Sequence, residues 1–120
     1  MKEITKLIET SKATWKQANF ESVEYIPLQM DFNEKHGSMV VKMLPNAKYP
    51  KHRHTKDEEL FLLKGTLQIG DQLLKSGDFL YSQAGTVHHM QTTDGCVFLM
   101  NIPGGIELIT ESQIENIEIT

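Results

Sequence analysis

The chain has 120 residues, of which 39% are hydrophobic and 23% are charged, and its formal net charge is −4. This length supports one domain with a modest core, and the composition is typical of a soluble globular protein and excludes a disordered one. The mild acidity gives no reason to expect nucleic-acid binding, and the single cysteine, Cys96, excludes an internal disulfide framework.

The N-terminal segment has the spacing of a short amphipathic helix. Ile4, Leu7 and Ile8 recur at i, i+3 and i+4, and Lys and Glu fill the other positions. Such a helix is marginal alone, so we expect it to pack on a larger body through Trp15 and Phe20. The segment is too charged for a signal peptide, and no stretch of the chain is long enough to span a membrane. These features predict a cytoplasmic protein.

Short β-strands are predicted from about Val23 onward. Glycine-containing turns punctuate the chain at 64–65, 70–71, 76–78, 84–86 and 93–95. Many short strands without intervening helices favour an antiparallel sandwich or barrel, and no parallel βαβ unit is visible. The runs that predict strands are the apolar, β-branched-rich SVEYIPLQM and GSMVVKML, followed at short intervals by YPKHRH, ELFLLKG, TLQIG, QLLKSG, DFLYSQ, HHMQ and CVFLMNI.

The pattern predicts a single domain over residues 1–120. Its parts are an N-terminal helical segment at 1–20, a β-barrel at 23–105 and a C-terminal tail at 106–120. The isoleucines of the tail suit either an edge strand or one helical turn, and the sequence does not decide between them.

Four of the five histidines fall in two clusters, at positions 52 and 54 and at positions 88 and 89. On a strand, alternation places His52 and His54 on the same face. The loop after them can bring the carboxylate of Glu58 back towards the two imidazoles. His88 follows a tight AGT turn and opens another strand.

Three imidazoles and a carboxylate form a ligand set suited to one divalent transition metal, namely Fe, Zn, Mn, Ni or Co. A five- or six-coordinate ion would keep one or two open positions, which permit catalysis. One carboxylate against a divalent ion leaves a net charge of roughly +1, which favours an anionic or chelating small molecule there. Two histidines two residues apart are also common on surfaces, so the metal prediction depends on the second cluster.

The spacing of these residues resembles the cupin superfamily. The first cupin motif is a pair of His two apart, a Glu three or four residues later and a Gly after six more. Here His52, His54, Glu58 and Gly65 match it in full.

The second cupin motif is matched with two departures. Gly77, Gly85 and His88 are in place, whereas Gln83 stands where Pro is expected and Thr92 stands where Asn is expected. Neither departure removes a ligand.

The resemblance implies that His52, His54, Glu58 and His88 hold the metal. The six-residue gap to the motif glycine selects Glu58 over Glu59, and alternation places Glu59 on the opposite face. The two-residue gap from Gly85 selects His88. The resemblance further implies an all-β double-stranded β-helix, the antiparallel jelly-roll or cupin barrel, preceded here by the short helix. It also implies a homodimer.

Within the superfamily, the chain looks most like the small ChrR-type cupins and the proteins related to acetylacetone-cleaving dioxygenases. The anti-sigma role of ChrR needs a separate helical zinc domain, for which this chain has neither the length nor the cysteines. The acetylacetone-cleaving type binds metal through three His, whereas Glu58 would be a fourth ligand here.

This likeness implies an Fe(II)-dependent, dioxygenase-like oxidoreductase that acts on a small oxygenated organic molecule. Two alternatives remain open: a non-catalytic Zn- or ligand-binding cupin used for sensing, and a metal-dependent isomerase or lyase. Neither a nucleic acid nor a membrane is expected as a partner.

Overall fold

The computed structural model describes residues 5–31, 33–34, 36–54, 56–102 and 106–108, and at positions 52, 54, 102 and 106–108 it describes the backbone alone. Within these residues the chain is all-β apart from one 3-10 turn at Thr10–Lys12. The strands are β1 (Lys16–Gln17), β2 (Val23–Asp31), β3 (His36–Met43), β4 (Lys48–His54), β5 (Glu58–Ile69), β6 (Gln72–Lys75), β7 (Phe79–Ser82), β8 (Val87–Gln91), β9 (Cys96–Ile102) and β10 (Ile106–Leu108).

The strands form two antiparallel layers that share the long strand β5. The first part of β5 pairs with β7 and β9, and the layer continues from β9 through β3 and β2 to β1. The last part of β5 pairs with β6 and β8, and the layer continues from β8 through β4 to β10. A strand that passes from one layer into the other curls the sheet around a common interior, which confirms the predicted all-β barrel.

Strand β5 runs through the predicted turn at 64–65. Gly65 has φ +85°, and a Cβ there would lie 2.1 Å from the carbonyl oxygen of Gly95. The pairing with β9 shifts register between Leu62 and Lys64, which marks a β-bulge. The prediction of two strands, ELFLLKG and TLQIG, was therefore wrong, because the glycine bends one continuous strand.

The hydrophobic core lies on the inner faces of both layers. Along β5, Leu60 and Leu62 are buried and alternate with exposed neighbours, as a half-buried strand requires. The largest fully buried side chains come from both layers: Val23, Met43, Leu62, Leu67 and Phe98.

The predicted N-terminal helix is not found in the part of it that the structure describes, from residue 5 onward. There the chain makes the single 3-10 turn, which buries none of its residues, and Leu7 is 83% exposed. The segment instead contacts the first layer, where the Trp15 ring lies 4.3 Å from the Lys42 ammonium and Lys6 donates to the carbonyl of Leu28. An apolar stripe this short buries too little surface to stabilise a helix, so contacts with the strands decide its path.

Phe20, the other predicted anchor, packs against the core and meets the ring of Tyr49 edge-on at 4.7 Å. At the other terminus, the backbone of β10 pairs with β4, so positions 106–108 form a strand rather than a helical turn. The rest of the predicted tail, and Ile4, lie outside the described residues. Among the described residues no helix is long and apolar enough to cross a membrane.

Candidate metal centre and its cavity

Strand β8 separates the two neighbouring histidines of the second cluster. His88 is 4% exposed and Met90 is 2% exposed, so both point into the barrel. His89 is half-buried and points to the opposite face, as alternation requires. Its Nδ1 is buried and has no hydrogen-bond partner in the described part of the chain.

Strand β4 contains a bulge that sets the register of the first cluster. Its pairing with β8 matches Tyr49 with Met90 and His52 with His88, so three residue steps on β4 span two on β8. The extra residue changes the alternation along β4, and Tyr49 lies on the face of the ladder that Met90 shares with His88. The side chains of His52 and His54 lie outside the described residues.

Glu58 opens strand β5 on its inner face. Its side chain is 4% exposed, whereas that of Glu59 is exposed on the outer face with Phe61. Buried carboxylates are found paired, hydrogen-bonded or bound to metal, because an isolated buried charge is very costly. Glu58 is also the register partner of Ser82 on β7.

Glu58 lines a cavity of about 310 Å³ inside the barrel. The walls are mainly apolar and include four methionines: Met30, Met39, Met90 and Met100. Tyr49 lines the same cavity, and burial, reinforced by the negative charge of Glu58, raises its pKa to about 12. The phenol is protonated at neutral pH, as an ordinary tyrosine is, and the raised pKa keeps it a hydrogen-bond donor above pH 10 as well.

His88 lines a second, more polar space. His88 and Ser82 line a groove of about 350 Å³ together with Gln72, Gln83 and Thr86. Ser82 is the register partner of Glu58, so the cavity and the groove are lined by side chains of neighbouring strands.

The structure thus buries Glu58 and His88 and pairs the backbone of His52 with that of His88. No group of three or more His, Cys, Asp or Glu is close enough to hold a metal ion among the described side chains, a set that omits those of His52 and His54. The four-ligand site stays a prediction. The donors whose side chains are described, an imidazole and a carboxylate, suit a divalent transition metal.

Asp57 connects the loop before Glu58 to the turn before His88. Its Oδ2 accepts a hydrogen bond from the Tyr81 hydroxyl at 2.5 Å, and its Oδ1 accepts one from the Ala84 N–H at 2.8 Å. These two bonds, with that from Tyr81 the larger, lower the pKa of Asp57. The same contact with Asp57 raises the pKa of Tyr81.

The two departures from the second cupin motif have structural counterparts. The backbone carbonyl of Gln83 accepts a hydrogen bond from the Thr86 N–H at 3.1 Å, and Gly85 has φ +90°. The turn therefore forms without a proline. Thr92 is buried; its hydroxyl donates to the Thr66 carbonyl at 2.7 Å and accepts the Gly95 N–H at 3.0 Å. It joins β5 to the turn between β8 and β9.

Sequence reasoning missed both Tyr49 and Asp57. Pro50 was a signal for the first, because a proline inside a strand marks an edge or a bulge, and a bulge changes which positions face inward. Asp57 had no comparable signal, since its partners Tyr81 and Ala84 are 24 and 27 residues away along the chain.

A family model of ChrR cupin-like domains matches residues 4–103. The chain belongs to the ChrR cupin-like family. The matched range includes the strands β1 to β9. No curated protein sequence matches the chain.

Solved structures resemble this cupin at low sequence identity, and so they show the fold alone. An RmlC-like cupin protein from Ralstonia eutropha JMP134 has a TM-score of 0.81 at 15% identity, covering 92% of this chain and 75% of the other. An acetylacetone dioxygenase from Acinetobacter johnsonii has a TM-score of 0.77 at 14% identity, covering 94% and 82%. The polyketide cyclase RemF from Streptomyces resistomycificus has a TM-score of 0.74 at 16% identity, covering 93% and 92%.

Proposed function

We propose that this cupin is a small metalloenzyme of the Fe(II)-dependent dioxygenase type that acts on a small oxygenated organic molecule. His52, His54, Glu58 and His88 would hold one divalent transition metal. The observation that carries the proposal is the buried carboxylate of Glu58 at the wall of a largely apolar cavity, in a barrel that also buries the His88 imidazole.

The buried donors fit such an ion. Ligation needs a deprotonated carboxylate and neutral imidazoles. Burial removes water from these groups, and the free-energy cost of that desolvation is offset when they bind the positively charged metal. When bound, the metal would supply Lewis acidity and, if it is iron, redox chemistry with oxygen. The similar fold of an acetylacetone dioxygenase supports this reaction type.

The cavity supports a substrate with an apolar body and oxygen atoms at one end. Ligand sites commonly combine apolar walls with a few placed polar groups, and here the polar groups are Glu58 and Tyr49. Methionine side chains adapt to varied apolar shapes, so the four in the wall would accommodate either an aliphatic or an aromatic part of the substrate. The phenol of Tyr49 would donate to an oxygen of the substrate.

A second candidate is isomerase, cyclase or lyase chemistry that needs no oxygen. The specific observation in its favour is that the Tyr49 phenol lines the same cavity as Glu58, so that with Glu58 as a metal ligand the phenol would polarise a substrate oxygen by donating a hydrogen bond. The similar fold of a polyketide cyclase supports it.

The test is anaerobic reconstitution with Fe(II), then oxygen uptake over a panel of diketones, catechols and thiols. We expect uptake matched to substrate loss in the native chain and in the control Glu59→Gln, and loss of both metal and uptake in Glu58→Gln. Absence of uptake by protein verified to hold iron would reject the dioxygenase. Turnover without oxygen would select the second candidate. A tightly held zinc ion, with a ligand-induced rise in Tm and no turnover, would select a sensing or binding role.

We also propose that the protein is a homodimer, joined through the outer face of the first layer. Phe61 lies between its register partners Phe79 and Leu99, and these side chains are 40%, 56% and 36% exposed. Contiguous exposed apolar side chains on neighbouring strands are typical of an interaction surface. Exposed Glu59 and Lys64 lie on either side of Phe61, so a two-fold axis near Phe61 would bring Glu59 of one copy to Lys64 of the other.

Analytical ultracentrifugation tests this interface. We expect a dimer for the native chain and a monomer for Phe61→Asp, whereas Leu73→Asp, at a 58% exposed leucine of the second layer, should stay dimeric. Glu59→Lys should weaken the dimer, and adding Lys64→Glu should restore it. A monomeric native chain at high micromolar concentration would reject the proposal.

A further inference from the structure

The loop that leads to Glu58 and the turn that leads to His88 are far apart in the chain but share one carboxylate. Asp57 precedes Glu58 directly, and it accepts hydrogen bonds from the Tyr81 hydroxyl at 2.5 Å and the Ala84 N–H at 2.8 Å. Each carboxylate oxygen therefore binds a different donor, and both donors belong to the segment from β7 to the turn before β8.

These bonds restrain the turn from its start. The Thr86 N–H donates to the Gln83 carbonyl at 3.1 Å to close the turn, and His88 follows two residues after Thr86. Proline, which would fix the backbone φ, is replaced by Gln83 in this chain. The hydrogen bond from the Ala84 N–H to Asp57 restrains the backbone one residue after Gln83.

The surroundings of Asp57 indicate that its role is local. Asp57, Tyr81 and Ala84 are exposed, and an exposed hydrogen bond contributes little to the stability of the whole domain. Two bonds to one carboxylate do, however, fix the position of the residue that carries them. The backbone of Glu58 is adjacent on one side, and its register partner Ser82 lies between the two donors in the chain.

We propose that Asp57 is a positioning residue of the metal centre, which holds Glu58 at a fixed distance from His88 by binding Tyr81 and Ala84. The inference rests on the proposed function, because it presumes that Glu58 and His88 ligate one ion. Partners that orient metal ligands typically contribute roughly 10- to 100-fold to metal affinity.

The experiment measures the Kd for Co(II) and Zn(II) and the Co(II) absorption spectrum of the full chain. Asp57→Ala should raise the Kd by roughly 10- to 100-fold and change the spectrum, since the ligand geometry relaxes. Glu34→Ala removes the same charge at an exposed position between β2 and β3 and should leave both unchanged. Tyr81→Phe removes one of the two bonds, so an intermediate Kd is expected.

Thermal unfolding of the metal-free variants separates position from stability. We expect Asp57→Ala to keep a Tm close to that of Glu34→Ala; if it does not fold, Tyr81→Phe against Glu34→Ala carries the test. The positioning role alone would be overturned if Asp57→Ala had the same Kd and spectrum as Glu34→Ala while Glu58→Gln and His88→Ala lost metal. Metal retained by Glu58→Gln and His88→Ala would overturn the metal centre and this inference with it.

Discussion

The two faces of β5 differ more in their surroundings than in their composition. On the inner face, Glu58, Leu60 and Leu62 are 4%, 2% and 0% exposed, whereas on the outer face Phe61 and Leu63 are 40% and 46% exposed. Apolar residues dominate both faces, and the one carboxylate that is buried lies on the inner one. Hydrophobicity therefore predicts the strand but does not identify its inner face, which closure of the barrel decides.

The largest expected difference between the two faces is in stability. Leu62→Ala should lower the free energy of unfolding by about 2 to 5 kcal/mol, because it leaves a cavity in the core. Leu63→Ala, one residue away, should change it by less than about 0.5 kcal/mol when both substitutions are made in Phe61→Asp, the variant that we expect to be monomeric. Urea denaturation of both variants checks this, and equal losses would show that the monomer itself covers its outer face.

The two histidines of β8 also lie on opposite faces of their strand, and they allow the same comparison of inner and outer face for metal binding. His88→Ala should raise the metal Kd by more than roughly 100-fold, since it removes a proposed ligand rather than an orienting partner, and should leave the fold largely intact. His89→Ala is the matched control on the other face and should keep its metal. Elemental analysis of the purified variants measures the metal-to-protein ratio. An unchanged ratio in His88→Ala would refute its assignment as a ligand.

A smaller effect is expected from Tyr49 at high pH. Its pKa is raised from 10.0 to about 12, so the folded state favours the neutral phenol. The resulting stability, roughly 2 to 3 kcal/mol, is fully present below pH 10 and is lost as the pH rises towards 12. Urea unfolding at pH 9 and pH 11.5 should show a smaller loss in Tyr49→Phe than in the native chain. Equal losses would mean that solvent reaches this phenol.

Much of the fold could be predicted because local chemistry decides it. The strands around His52, Glu58 and His88 were recognisable from period-two patterns and glycine turns, and the chain does form an all-β barrel of the cupin family. The metal ligands were chosen by motif spacing, and the structure places Glu58 and His88 in the interior without testing the full set.

The structure differs from the predictions made from sequence where contacts between distant residues compete with local conformational preference. The N-terminal segment follows the strands that carry Leu28 and Lys42 instead of forming the predicted helix. A glycine at position 65 suggests a turn, but Gly65 lies within one long strand. Its missing Cβ lets the Gly95 carbonyl approach the backbone there. The bulge after Tyr49 became evident only from pairing with β8.

The sequence by itself determined the strand periodicity, the two histidine clusters and the alternation that separates Glu58 from Glu59, since these depend on neighbours along the chain. Only the tertiary structure decided which face is enclosed, how β4 and β8 are registered and which residues line the cavity with Glu58. It also decided that Asp57 binds the turn before His88. Those features depend on residues that are distant in the chain and meet only when the barrel closes.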